Sequence, residues 1–141
     1  MVAPTARESP VHDIRLSPTI LARIEERRGG RHVFNRLEPR STALLVVDMQ
    51  NCFCMPDQPA YVETTADIVP NISRLADVLR EAGGLVVWIQ MAATPASQQD
   101  WSVYFDYFNN PNMRQRMIEA LTPGSAGYAL HPDLKPAAQD L

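Results

Sequence analysis

Asp48 ends an unbroken apolar run, Ala43-Leu44-Leu45-Val46-Val47, and Met49, Gln50, Asn51, Cys52, Phe53 and Cys54 follow it at once. A carboxylate held at that point can take a proton as a general base, and a thiol beside a base can become a nucleophile. Each has a plainer reading. An acid that closes a strand often only bonds the turn after it. A reactive thiol needs a base or a cation to form thiolate, and Cys52 and Cys54 are more cheaply read as small, half-buried residues lining a loop. Two ligands at this spacing, with no His or further Cys nearby, complete no four-coordinate zinc site and define no disulfide framework. Lys135, the only lysine, lies in a proline-flanked loop near the end of the sequence, and His12 and His32 lie in flanks where a lone histidine is usually a surface residue.

The elements that must position Asp48 are legible from hydrophobic pattern. Ala43 to Val47 is short, continuous and rich in β-branched residues, the mark of a strand buried on both faces in a parallel sheet. In open α/β sheets the carboxyl ends of such strands face the ligand crevice, which makes Asp48 the leading catalytic candidate. Met55 to Tyr61, with Pro56 and Pro59, reads as a loop over that crevice. Pro70 to Ala82 carries Ile72, Leu75, Ala76 and Leu79 at helical spacing and stops at Gly83-Gly84, and Leu85 to Ile89 is a second buried strand ending in Gln90. Strand, helix, strand in this order is a βαβ unit with parallel strands and a right-handed crossover, so Asp48 and Gln90 reach the same sheet edge. Gln90 there either orients a polar substrate group or satisfies strand-end backbone.

Outside that unit, Ser17-Pro18 caps a short amphipathic helix carrying Ile20, Leu21 and Ile24, stopped by Gly29-Gly30 and preceded by an extended leader over residues 1–16. Its expected role is packing against the domain or a neighbouring subunit. Trp101, Tyr104, Phe105 and Phe108 recur at i, i+3, i+4 and i+7 and predict one short helix between Asp100 and Asn109 whose aromatic stripe serves as core or subunit contact. Asn110-Pro111 opens another helix, with Met113, Met117, Ile118 and Leu121 inward and Arg114 and Arg116 outward, ended by Thr122-Pro123-Gly124. Loop then runs to Lys135, and Asp140-Leu141 is the approach to a third strand. Two parallel strands are not stable alone, and both are too apolar for open faces.

At 141 residues, 45% hydrophobic and 21% charged, with a net charge of −3, the chain has the composition of one globular domain. Its arginines are scattered among acids, which implies neither nucleic acid nor an anionic membrane as partner. The longest apolar runs fall far short of the roughly 20 residues that span a bilayer, and the polar start of the chain is unlike a signal peptide, so the expected location is cytoplasmic.

Asp48-Met49-Gln50-Asn51-Cys52-Phe53 after Thr42-Ala43-Leu44-Leu45-Val46-Val47 resembles the opening signature of the isochorismatase-like hydrolases, a superfamily that includes nicotinamidases, N-carbamoylsarcosine amidases and ureidoacrylate and biuret amidohydrolases. A haloacid-dehalogenase site would instead need a second Asp where Gln50 stands. The resemblance implies an α/β fold, Rossmann-like and three-layered (α/β/α) with a parallel sheet, of which this chain supplies the first part. It implies an N-terminal extension over 1–40 and the N-terminal part of the hydrolase domain over 41–141, truncated and inactive by itself.

The family's catalytic set is an Asp after the first strand, a Lys after the third and a Cys opening a helix after the fourth, so Asp48 alone is carried over. Lys135 precedes the third strand and does not register as the catalytic lysine. Gln50, Phe53 and Gln90 are the implied substrate-binding residues. Some nicotinamidase-like members bind a divalent ion through an Asp and histidines just after the second strand, but Gln90-Met91-Ala92-Ala93-Thr94-Pro95 carries no such ligands, which implies a metal-free site without cofactor. The implied function is cysteine-dependent hydrolysis of a C–N bond in a small-molecule amide, ureido or carbamoyl compound, by a protein that is a homo-oligomer at full length. Arg31-His32-Val33-Phe34-Asn35 and Trp88-Ile89-Gln90-Met91 weigh toward ureido or carbamoyl substrates. The alternatives are vinyl-ether hydrolysis of isochorismate, in which the cysteine is absent, and a non-catalytic domain completed by a partner chain.

Overall fold

The structure is a computed structural model that describes residues 15–141. It divides into two compact units, one ending at Leu37 and the other spanning Glu38–Leu141. His12 and nearly all of the expected leader lie outside the described residues. The first unit holds α1 (Pro18–Arg28), capped as its sequence predicts: the Ser17 side chain accepts from Ile20 N–H, Pro18 takes the first helical position, and Gly29 ends the helix at φ 72°. None of the α1 residues is buried, and His32 is exposed.

The second unit is an α/β structure built on β1 (Ala43–Val47) and β2 (Leu85–Ile89), which pair in parallel with Ala43 opposite Leu85 and Val47 opposite Ile89. The crossover between them contains a one-turn helix α2 (Asn51–Cys54) and the long helix α3 (Thr65–Glu81). Because side chains alternate across a strand, one sheet face sends Val46 and Val86 into an apolar cluster with Val69 and Ala76 of α3, against which Leu44, Ile72 and Trp88 also pack. Each fully buried side chain of this size contributes about 1.5–3 kcal/mol. The other face carries Leu45, Val47, Leu85 and Ile89, all exposed. Burial on both faces, expected from the strand pattern, is thus met on one face only, the face covered by α3 together with Cys54 of α2.

Helix α3 begins five residues before the proline expected to open it, and Pro70 lies inside it. Proline lacks the N–H that would bond the Ala66 carbonyl, but Ala66 and Pro70 both lie on the exposed side, where a carbonyl can be solvated. Leu75, expected inward, is 54% exposed, since the face turned to the sheet runs through Val69, Ile72 and Ala76. Gly84 lets α3 turn sharply into β2: a Cβ there would lie 2.7 Å from the Pro39 carbonyl oxygen and collide with Leu79.

The short aromatic helix expected between Asp100 and Asn109 is α5 (Ser102–Tyr107), which leaves Trp101 outside it at its start, and a further short helix that the sequence did not suggest, α4 (Pro95–Asp100), precedes it. A capping box starts α4, with the Thr94 and Ser97 side chains each bonding the other's backbone N–H. The aromatic stripe is core only at Phe105; Tyr104 is half-buried, and Trp101 and Phe108 are 60% and 75% exposed. Asn110 caps α6 (Pro111–Leu121), whose Met117 and Leu121 bury against Cys52, Ala93 and Phe105 in a second apolar cluster. Phe53 packs against both clusters and joins them. At the free edge of β2, Leu141 N–H donates to the Val86 carbonyl (3.0 Å) and the Leu141 carbonyl accepts from Trp88 N–H (2.7 Å), the parallel bonding of an incoming third strand.

Candidate active site

The site grows from the carboxyl ends of the two strands. The ladder runs one residue past β1, with Asp48 N–H donating to the Ile89 carbonyl at 2.9 Å, and the backbone then turns through φ 56° at Asp48 itself. A positive φ is uncommon for a residue with a side chain, and Asp is among the few that tolerate it. The turn ends the strand, buries Met49 and Gln50 behind it and leaves Asp48 half-buried at the rim of a cavity of about 350 Å³. Val47, Ile89, Gln90, Met91 and Ala92 also line this cavity from the strand ends, and Ser97, Trp101 and Phe105 line it from α4 and α5. Its volume lies in the range of small-molecule sites.

Gln50 holds the floor together. Its side-chain Nε2 donates to the carbonyls of Met91 (3.0 Å) and Tyr128 (2.9 Å), and its Oε1 accepts from Met91 N–H (2.8 Å). The side chain is fully buried and both amide N–H groups are used within the protein. The substrate-binding role expected of Gln50 therefore gives way to a structural one: it ties β1 to β2 beneath the site. Phe53 does not line the cavity either; it is the apolar bridge between the two clusters. Of the three residues expected to bind substrate, only Gln90 reaches the cavity.

The segment 126–131 straps the Asp48 turn from outside. Asn51 N–H donates to Ala129 O and Cys52 N–H to Gly127 O, both at 2.8 Å, and His131 N–H donates to Met49 O at 2.9 Å. The Tyr128 carbonyl accepts from Gln90 Nε2 at 2.8 Å as well as from Gln50. That acceptor fixes which end of the Gln90 side chain is NH₂ and leaves its carbonyl oxygen without a partner among the described residues. Of the two roles open to it in the sequence, Gln90 satisfies backbone, and its residue lines the cavity. His131 is buried and its Nδ1 accepts from Asp133 N–H at 3.3 Å.

Neither cysteine is poised to react. Cys52 is fully buried, and burial, reinforced by Cys54 and opposed by a backbone bond from Ala60, pushes its thiol up to about 11. Burial also raises the thiol of Cys54, against a bond from Thr65. The phenol of Tyr104 is raised chiefly by burial, its bond with Asn109 pulling the other way, with the nearby Cys52 and Asp48 adding to the rise. Lys135 is exposed and lines a different cavity, of about 230 Å³, with Asp77, Arg80 and Trp88. Among the described residues no group of three or more His, Cys, Asp or Glu could hold a metal ion, and no helix is long and apolar enough to cross a membrane.

A βαβ unit with a lone carboxylate at its carboxyl edge, over a small, largely apolar cavity, defines an α/β protein of the Rossmann-like, strand-end-site class. The particular family follows from comparison: the isochorismatase domain matches residues 42–141, and the chain belongs to that family. A cysteine hydrolase from Pseudomonas syringae pv. phaseolicola 1448A superposes with a TM-score of 0.62 at 30% identity, over 74% of this chain and 46% of that one. An isochorismatase family protein from Desulfovibrio vulgaris subsp. vulgaris str. Hildenborough superposes with a TM-score of 0.53 at 28% identity, over 70% of this chain and 48% of that one. A relative from Arabidopsis thaliana named probable inactive nicotinamidase is 44% identical over 50 residues, 36% of this chain and 26% of that protein. The chain thus spans about half the length of the solved relatives it matches, and less of the Arabidopsis protein.

The sequence did not single out Met91, Ser97, Trp101 or Phe105 as cavity residues. A signal existed for Ser97, since Thr94-Pro95-Ala96-Ser97 is a helix start with a polar N3 residue. Trp101 and Phe105 were visible only as a stripe, and periodicity does not say which of its members turns toward a strand end.

Proposed function

We propose that this chain carries the general-base half of a cysteine hydrolase that cleaves a C–N bond in a small amide, ureido or carbamoyl compound. The observation that carries the reading is Asp48: a carboxylate at the end of β1, held by a left-handed turn at the rim of a small-molecule cavity, in a chain of the isochorismatase domain family. In this reading Asp48 takes the proton of a cysteine thiol, the thiolate attacks the carbonyl carbon, and backbone N–H groups stabilise the oxyanion. The amine or ammonia then leaves and water resolves the thioester. The third member of the set is a lysine. Cys52, Cys54 and Lys135 do not supply these partners, since both thiols are buried and Lys135 opens on another cavity. The lysine and the nucleophile belong to sequence beyond these 141 residues, and the whole protein acts as a homo-oligomer in the cytoplasm.

The test is ammonia release from a panel of carboxamides and ureido compounds by the protein isolated from its natural source, with its intact mass measured alongside, and by its Asp48→Asn variant. Release that falls by about 10²–10⁴-fold in the variant is the expected result. Release unaffected by the substitution overturns the role of Asp48. A second reading, a non-catalytic domain, draws on the name of the Arabidopsis relative and the absence of an accessible thiol among the described residues; it expects no release at all.

A further inference from the structure

Helix α3 carries a second apolar stripe that the sheet does not use. Its sheet-facing side runs through Val69, Ile72 and Ala76. Ile68, Leu75 and Val78 lie off that side and are 47%, 54% and 58% exposed. With Asn71 and Ala82, also exposed, they follow the spacing 68, 71, 75, 78, 82, which alternates steps of three and four. That alternation puts all five on one seam of the helix, the pattern by which two helices pack along their length. A helix whose outward side meets only water ordinarily shows polar residues there.

Asp67, Arg74 and Glu81 recur every seven residues and so form one flank of this seam, with charges negative, positive and negative. Arg74 bonds the Asn71 side chain of its own helix at 3.1 Å, and Glu81 enters no ion pair among the described residues. Seven residues rise about 10 Å along a helix, too far for Arg74 and Glu81 of one chain to pair. In two antiparallel copies of the helix, each flank faces the same flank of the other, reversed. The slide between the copies then decides which charges meet. With Leu75 level with Val78 of the second copy, Arg74 falls beside Glu81 of the second copy and Asn71 beside Ala82 of the second copy, and the two-fold axis repeats each contact. A slide of one heptad either way brings like charges together, Arg74 on Arg74 or Glu81 on Glu81. The charges therefore select one register, and it is the one that joins the two most exposed apolar residues of the seam.

We propose that the outward seam of α3 is the surface through which two copies of this protein pair about a two-fold axis. The α3 helices run antiparallel, Leu75 of each against Val78 of the other and Arg74 of each beside Glu81 of the other. A second copy is the occupant because the charged flank is complementary to itself. None of the seam residues lines the Asp48 cavity. This inference gives the proposed homo-oligomer its surface; it rests on that part of the functional reading and not on hydrolysis.

The experiment measures self-association by sedimentation equilibrium for the protein produced from its complete gene, beside Arg74→Glu, Glu81→Arg and the double variant carrying both. These positions are exposed, so circular dichroism should show the same helix content throughout. Each single substitution creates two like-charge pairs at the contact and is expected to weaken association by at least about tenfold. The double variant makes the pairs opposite again and should return to within about threefold of the parent. Leu75→Glu, which puts a charge in the middle of the seam, should weaken association by at least about 100-fold. Because Arg74 and Glu81 are too far apart to pair within one chain, recovery in the double variant comes from contact between antiparallel copies. Association unmoved by Leu75→Glu, or single variants that lose nothing or are not rescued by the double one, overturns this surface and leaves a homo-oligomer built elsewhere. A protein that stays monomeric at every concentration reached overturns both the surface and the homo-oligomer, while ammonia release still decides hydrolysis on its own.

Discussion

Gln50 and Met91 bond each other twice: the Gln50 side-chain NH₂ donates to the Met91 carbonyl at 3.0 Å, and Met91 N–H donates to the Gln50 Oε1 at 2.8 Å. The side-chain amide acts as an additional rung, pairing the backbone just past β2 as a neighbouring strand would. It continues the sheet where β1 has turned away, and so fixes the spacing between the Asp48 turn and the wall of its cavity.

Removing that rung should be costly. Gln50→Leu leaves the Met91 N–H and carbonyl without partners in a buried place, and Gln50→Glu turns an oxygen toward two carbonyls. Each is expected to lose about 3 kcal/mol, since each orphaned buried polar group costs about 1–3 kcal/mol. Chemical denaturation reads this directly, and a loss below about 0.5 kcal/mol with an unchanged slope would refute the clamp.

Asp48 combines a chemical and a conformational demand, and two substitutions separate them. Asparagine tolerates the φ of 56°, so Asp48→Asn should fold with nearly unchanged stability while hydrolysis falls by about 10²-fold or more. Alanine carries the left-handed penalty, and Asp48→Ala should be less stable than Asp48→Asn by about 1 kcal/mol. Equal stability of the two would mean that the turn does not rely on the residue's tolerance.

Asp140 should make stability depend on acid. Its side chain is 3% exposed and accepts from Arg80 Nη2 at 2.6 Å and Nε at 2.9 Å, from Trp88 Nε1 at 2.8 Å and from Ala137 N–H at 2.9 Å. The Arg80 guanidinium, helped by the Trp88 and Ala137 bonds and opposed by burial, holds the carboxyl well below the usual carboxylate range. A depressed folded value means stability that is fully present above the unfolded value, about 3.9, and is lost as pH falls below it. Melting followed from pH 7 to strong acid should show that loss in the parent and much less of it in Asp140→Asn. Asp140→Ala leaves Arg80 with Asp77 as its remaining acid and removes the acceptor of Trp88 Nε1 and Ala137 N–H, and should cost about 1–3 kcal/mol at neutral pH.

The two thiols should behave as core. With Cys52 pushed up to about 11, about one molecule in a thousand carries its thiolate at pH 8. Alkylation by iodoacetamide is expected to be at least about 100-fold slower in the folded protein than in denaturant, followed by mass spectrometry. Rapid modification of Cys52 under native conditions would return it to the list of nucleophiles.

Both strands, α1 and α6 were readable because their signals are local. Val46 and Val86 sit in continuous apolar runs, and Ser17-Pro18 and Asn110-Pro111 place a capping side chain beside a residue already shaped for the first turn. Asp48 was readable for the same reason, since the end of an apolar run marks a strand end whatever surrounds it. The start of α3 was not: Pro70 looks like a helix start in sequence, and only the exposure of Ala66 shows why the helix runs through it.

The sequence by itself determined the βαβ order, the strand-end position of Asp48 and the family signature around it. Only the tertiary structure decided that Gln50 clamps the floor while Gln90 faces the cavity, that Trp101 joins the site while Phe105 anchors it, and that Arg80 finds Asp140. Backbone elements follow from bonds between residues close in the chain, so local pattern specifies them. A buried amide or carboxylate must find its partner in space, as Gln50 does 41 residues away at Met91 and Arg80 does 60 residues away at Asp140, and that choice exists only once the sheet has brought distant segments together.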